Sequence, residues 1–187
     1  RRVLFRSGSR EDGKRFLTLE LSKDEKYPNH EAVDFYHNYK KDIALFGKMN
    51  MKALRFSIAW SRIFPEGEGE PNLEGLKFYD RVLEELEKYK IQPIITISHY
   101  EMPMKLYTEY GGWRNRKLIE LYEKYAKLLL DRYGKRVRYW ITFNEINVLL
   151  SGFASYKAGG LIFTEEDNRE EICMQALHHQ LLRSEEH

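Results

Sequence analysis

The chain has 187 residues, enough for one domain with a sizeable core, and 31 Lys and Arg against 29 Asp and Glu leave a net charge of +2. Charges of both signs interleave, as in YKKDIALFGKM and EELEKYK, which is the pattern of solvated helix faces and argues against a nucleic-acid-binding stripe. The single cysteine, Cys173, excludes an internal disulfide framework, and no apolar run approaches a membrane span or a signal-peptide core, so a reducing, cytoplasmic setting is expected.

Hydrophobic period divides the chain into alternating elements. Residues 31–49 place Val33, Phe35, Tyr36, Tyr39, Ile43 and Phe46 at mostly three- and four-residue steps, which predicts an amphipathic helix. The segment KALRFSIA, 52–59, alternates apolar positions and reads as a strand. A second helix is expected over 73–90, with Pro71 and Asn72 as its start signal. The β-branched run IQPIITIS, 91–98, suits a strand covered on both faces. A third helix is expected over about 115–132, opening at Asn115 and closing near Gly134, followed by a strand VRYWITF at 137–143. A last helix spans about 168–182, with Asp167 or Asn168 as its cap.

Strands alternating with helices over short loops imply parallel strands joined by crossover helices, in an open doubly wound sheet or in part of an eight-fold barrel. No glycine-rich phosphate loop follows a strand. All three strands instead end in polar or aromatic groups: Trp60-Ser61-Arg62, His99-Tyr100-Glu101 and Asn144-Glu145. In a barrel these are the C-terminal strand ends, where active sites are built. A complete barrel takes about 250 residues, so three strands predict part of one. The abrupt polar end of WITFNEIN is read as a strand that points Glu145 into a pocket, where burial favours the protonated carboxyl that a general acid requires.

Four motifs in order, RFSIAWSRIFPEGEG, PIITISHYEMP, YGGW and WITFNEIN, closely resemble the N-terminal half of family 1 glycoside hydrolases. PNHEAVDFYH, ISHYEMP and ALHHQLL look most like its bacterial 6-phospho-β-glucosidase branch, and the likeness covers about residues 27–182. The resemblance implies a partial (β/α)8 TIM barrel, roughly strands 2–4 with their helices, and retaining hydrolysis of β-glucosides phosphorylated at C6. Glu145 is implied to be the acid/base, with Asn144 at the sugar 2-hydroxyl, His99 at a ring hydroxyl and Tyr100 as a further substrate contact where most of the family carries Trp. Arg55 is implied to orient the nucleophile. The implied substrate is a small sugar phosphate, with no metal, cofactor, nucleic acid or membrane involved.

The family's nucleophile lies in a Thr-Glu-Asn-Gly stretch, and that tetrapeptide does not occur in these 187 residues. The first barrel strand with its sugar-binding Gln and the late phosphate-gripping loop are likewise expected elsewhere, in the C-terminal and flanking parts of the barrel. The chain by itself is therefore expected to be inactive. RRVLFRSGS and RSEEH fit neither the family pattern nor the local periodicity, which divides the chain into a foreign leader at 1–9, a barrel part at 10–182 and a foreign tail at 183–187. Two other readings remain: an unphosphorylated β-glucosidase or β-galactosidase of the same family, and a non-catalytic carbohydrate-binding half-barrel. Glu101 is assigned a structural role over that of a second catalytic carboxylate, and Trp113 one of packing. His178 and His179, adjacent on a helix, do not face the same way and are not read as a metal pair.

Overall fold

A computed structural model describes residues 34–151 and 155–182. The expected leader and tail, and the first three residues of the expected first helix, lie outside the described residues.

Helix α1, Phe35–Lys48, leads into strand β1, Ala53–Ser57, and a one-turn helix α2, Trp60–Ile63. Helix α3, Leu73–Lys88, is followed by strand β2, Gln92–Ser98, and helix α4, Met104–Tyr110. A 3₁₀ turn at Gly112–Arg114 precedes helix α5, Lys117–Tyr133, and strand β3, Tyr139–Phe143. A second 3₁₀ stretch, Ile146–Leu150, then leads towards helices α6, Ser155–Gly159, and α7, Arg169–Leu181. The described strands form one parallel sheet in the order β1-β2-β3.

All seven elements expected from periodicity form, within a few residues of their expected bounds. The short helices between them are additional. Each spans two turns or fewer, too little sequence for a helical period to stand out.

Register sorts the sheet into two faces. Arg55 pairs with Ile94 and Ile94 with Tyr139, so these three share one face, while Phe56, Ile95 and Trp140 share the other. Ile95 and Ile97 are buried with Val82, Leu83 and Leu86 of α3 and Leu118, Tyr122, Tyr125 and Leu129 of α5 in one continuous core. Burying a side chain of this size contributes about 1.5–3 kcal/mol, which makes this helix-covered layer the main stabilising unit.

Two expected helix starts are built differently from each other. Asn115 behaves as a cap, its side-chain oxygen accepting from the Lys117 amide at 2.9 Å. Asn72 does not cap α3 with its side chain; it ties back to α2, donating from its amide side chain to the Arg62 carbonyl at 3.0 Å and from its backbone to Ile63 at 2.7 Å. At the start of α7, Asn168 accepts from the Glu171 amide, which selects it over Asp167 as the cap.

In YGGW both glycines have left-handed φ, and a Cβ on Gly112 would lie 2.3 Å from the Gly159 carbonyl oxygen. Only glycine lets these two stretches of backbone approach so closely. Trp113 is buried edge-on against Phe143 and Tyr122, in packing at the end of β3. His179 lies 2.8 Å through Nδ1 from the Trp113 carbonyl. A carbonyl only accepts, so Nδ1 carries the proton and Nε2 accepts from the Gln175 side chain. That histidine is a strut between α7 and the YGGW turn.

Candidate functional site at the strand ends

Three tyrosine hydroxyls fix where the strands end. The Tyr125 hydroxyl lies 2.6 Å from the Ile58 carbonyl, just past β1, and 3.1 Å from the Ile97 carbonyl on β2. Tyr122 donates to the Thr142 carbonyl on β3 at 2.8 Å, and both tyrosines come from α5. The third, Tyr79 of α3, accepts from the Ala59 amide at 2.9 Å. Burial pushes the Tyr122 and Tyr125 hydroxyls far above the usual tyrosine range, so they act as fixed neutral donors.

Glu101 adds a clamp beside them. It is buried, one carboxylate oxygen accepts from Ser57 at 2.7 Å, and the other accepts from the His99 amide at 3.1 Å. With both oxygens engaged it joins the end of β1 to the chain leaving β2, which is the structural role expected of it. His99 is half-buried, its ring edge-on to Tyr100 at 5.2 Å.

A continuous polar chain then crosses all three strands. Arg55 donates through Nε to Thr96 at 3.0 Å and through Nη2 to the Asn144 side-chain oxygen at 2.7 Å. The Asn144 side-chain nitrogen donates to the Tyr100 hydroxyl at 3.1 Å, and that hydroxyl donates to Glu145 Oε2 at 3.0 Å. The backbone of Asn144 extends the ladder by one more rung to the Ser98 carbonyl. Four of the five residues singled out from sequence, Arg55, Tyr100, Asn144 and Glu145, are thus joined by hydrogen bonds, and His99 stands beside them.

Tyr100 and Glu145 have φ of 70° and 42°, left-handed values that cost a non-glycine residue about 1–2 kcal/mol. Such backbone gathers at functional sites. Burial raises the Tyr100 hydroxyl above the usual tyrosine range; the Asn144 hydrogen bond lowers it and the Glu145 carboxylate raises it further.

One expectation is corrected. Glu145 is exposed on this part of a barrel. The strand does not run on without a turn, because the backbone turns left-handed at Glu145 itself and the side chain leaves the strand's alternation there. Thr96 and Glu101 carry more of the site's construction than the sequence suggested. The available signal was a polar residue inside the apolar run IQPIITIS and a carboxylate two residues after His99. Among the described residues no three His, Cys, Asp or Glu side chains gather to hold a metal ion. No described helix is long and apolar enough to cross a membrane.

Solved structures and curated proteins resemble the chain. A family 1 β-glucosidase from Thermotoga maritima superposes with a TM-score of 0.69 at 36% identity, over 79% of this chain and 32% of that one. The parallel sheet with its helices is accordingly part of the TIM-barrel architecture of such β-glucosidases. The aryl-phospho-beta-D-glucosidase BglH of Bacillus subtilis is 57% identical over 156 residues, 83% of this chain and 33% of its own length. The 6-phospho-beta-glucosidase AscB of Escherichia coli is 50% identical over 167 residues, 89% of this chain and 35% of its own. The chain spans about a third of the length of these relatives. The sequence profile of glycosyl hydrolase family 1 matches residues 8–186, and the chain belongs to that family.

Proposed function

We propose that this chain carries the acid/base side of a retaining glycosidase that acts on β-glucosides phosphorylated at C6, built on strands 2–4 of the barrel. The observation that carries the reading is the pair Asn144-Glu145, tied to Arg55 and Tyr100 across three strand ends, in a chain 57% identical to an aryl-phospho-β-glucosidase.

Glu145, protonated, gives its proton to the glycosidic oxygen as the bond to the leaving group breaks. A second carboxylate about 5 Å away takes the sugar into a covalent intermediate, and Glu145 then removes a proton from the water that releases it. That second carboxylate lies outside these 187 residues. Asn144 retains one side-chain proton and one oxygen lone pair beyond its bonds to Tyr100 and Arg55, enough to hold the sugar 2-hydroxyl. His99 binds a ring hydroxyl, and Arg55 faces the nucleophile while holding Asn144. A sugar phosphate is charged and does not cross a bilayer unaided, so the reading puts the enzyme in the compartment where the phosphate is added, taken to be the cytoplasm.

A second reading, hydrolysis of unphosphorylated β-glucosides, draws support from the Thermotoga structure and from beta-glucosidase 25 of Oryza sativa, 46% identical over 65% of this chain. Assay of nitrophenyl β-D-glucoside with and without the 6-phosphate separates the two. The gene product carrying this chain to its relatives' length is expected to prefer the phosphorylated substrate, and Glu145→Gln to lower turnover about 10²–10⁴-fold. The 187 residues alone are expected to release no nitrophenol. Preference for the unphosphorylated glucoside would favour the second reading. Sugar binding in calorimetry without turnover by the gene product would favour a non-catalytic binding module.

A further inference from the structure

The polar chain across the strand ends has a fixed direction. A guanidinium can only donate, so the Asn144 atom facing Arg55 at 2.7 Å is its oxygen. That settles the amide orientation and turns its nitrogen towards Tyr100. The Tyr100 oxygen therefore accepts from Asn144, and its single proton is left for another acceptor. Glu145 Oε2, at 3.0 Å, is that acceptor. Neither step from Arg55 to Tyr100 can be reversed without placing two donors face to face, and with Glu145 ionised the last step runs the same way.

We propose that Tyr100 is a positioning residue for Glu145, reserving Oε2 as a hydrogen-bond acceptor so that the proton to be delivered to the leaving group resides on Oε1. The inference deepens the glycosidase reading above and rests on it. When Glu145 is ionised, the Tyr100 proton holds the carboxylate in one rotation. When Glu145 is protonated, a Tyr100 proton kept on Oε2 leaves Oε1 for the carboxyl proton, whereas an Oε2–H donating to Tyr100 would turn the phenol proton away from the carboxyl. An exposed glutamate with no such contact would spread its proton over both oxygens and several rotamers, whereas an acid catalyst must hold the proton within hydrogen-bond reach of one oxygen of the substrate.

This role differs from a sugar contact in a way that can be counted. With one lone pair taken by Asn144 and the proton committed to Glu145, the Tyr100 hydroxyl can accept from a sugar hydroxyl but cannot donate to it. Loss of the hydroxyl should therefore act on proton delivery more than on substrate binding. The left-handed backbone at both Tyr100 and Glu145 brings the two side chains together from the ends of different strands.

The experiment is a leaving-group series on the gene product that carries this chain, using β-D-glucoside 6-phosphates from dinitrophenyl, which departs without a proton, to methyl, which needs one. Tyr100→Phe is expected to lower kcat/KM for the methyl glycoside about ten-fold or more, to leave the dinitrophenyl glycoside nearly unchanged, and to move KM little. An equal fall across the series would overturn the proposal and make Tyr100 a substrate contact or a scaffold residue. No fall at all would overturn it too. In parallel, the ring resonance of isotope-labelled Tyr100 in the 187-residue chain is expected to move on Glu145→Gln, and an unmoved resonance would remove the contact itself. If the unsubstituted gene product hydrolyses none of the series, the glycosidase reading falls and takes the proton-delivery role with it. The tyrosine resonance then still reports whether the two side chains are joined.

Discussion

Along β2 consecutive residues meet opposite surroundings. Ile95 and Ile97 are buried in the core shared with α3 and α5, whereas Ile94 shares a face with Arg55, which is exposed, and Tyr139, which is 47% exposed. The first face is organised by burial. On the second, the order comes from directed hydrogen bonds, with Arg55 reaching Thr96 on the neighbouring strand and Asn144 past the end of the next. In this part of the barrel, apolar burial and directed hydrogen bonds are therefore carried by separate surfaces of one sheet, joined at the strand ends where α5 tyrosines hold the carbonyls.

If that division is right, substitutions on the two faces should separate cleanly in denaturant unfolding. Ile95→Ala is expected to have the largest effect, a loss of about 2–5 kcal/mol, because a fully buried β-branched side chain leaves a cavity between sheet and helices. A loss below about 1 kcal/mol would mean that the helix-covered face is not the stabilising one. Tyr125→Phe comes next, at about 1–3 kcal/mol, since it strips the buried Ile58 and Ile97 carbonyls of a shared donor without changing the ring packing against Trp60. It should also loosen the strand ends, read as faster amide exchange at the Ile97 and Ile58 amides.

The same division explains which parts were legible from sequence. Helices α1, α3 and α5 each exceed three turns and announce themselves by period, β1 by its alternation and β2 by its β-branched run. Arg55, His99, Tyr100, Asn144 and Glu145 stood out through ordered motifs. Their bonding did not, because Arg55 and Asn144 are 89 residues apart and meet only through sheet register. The turn at Glu145 left no local signal for a related reason. Burial depends on what covers a strand end and on a single left-handed φ, and neither leaves a trace in a local pattern.

A smaller effect, lost in acid, is expected where the chain approaching α7 is fastened to the YGGW turn. Asp167 accepts from Arg114 at 2.9 Å and from the Thr164 amide at 2.8 Å. The Arg114 guanidinium first, and the Thr164 amide second, pull its carboxyl down to about 2. An unfolded aspartate titrates near about 3.9, so the folded form holds the charged state more strongly. The contribution is therefore present above about pH 4 and is lost as pH falls through about 2. Stability curves of Asp167→Asn and the unsubstituted chain should differ at neutral pH and converge across that window. A gap that persists in acid would assign the role to shape, not charge.

Arg55→Ala is expected to change stability least, by under about 1 kcal/mol, and so tests the open face directly. Arg55 is exposed as a residue although its bond to the buried Thr96 is partly covered, and its removal admits water to Thr96, which replaces the lost donor. The chemistry should respond although the stability does not. Without Arg55 the Asn144 amide is free to flip, because nothing then requires its oxygen to face β1, and a flipped amide would accept the Tyr100 proton that otherwise goes to Glu145. Amide and tyrosine ring resonances at Asn144 and Tyr100 should shift together in the variant while its unfolding midpoint stays in place. A large stability loss with unmoved resonances would mean that Arg55 is a structural tie and that the direction of the polar chain is set elsewhere.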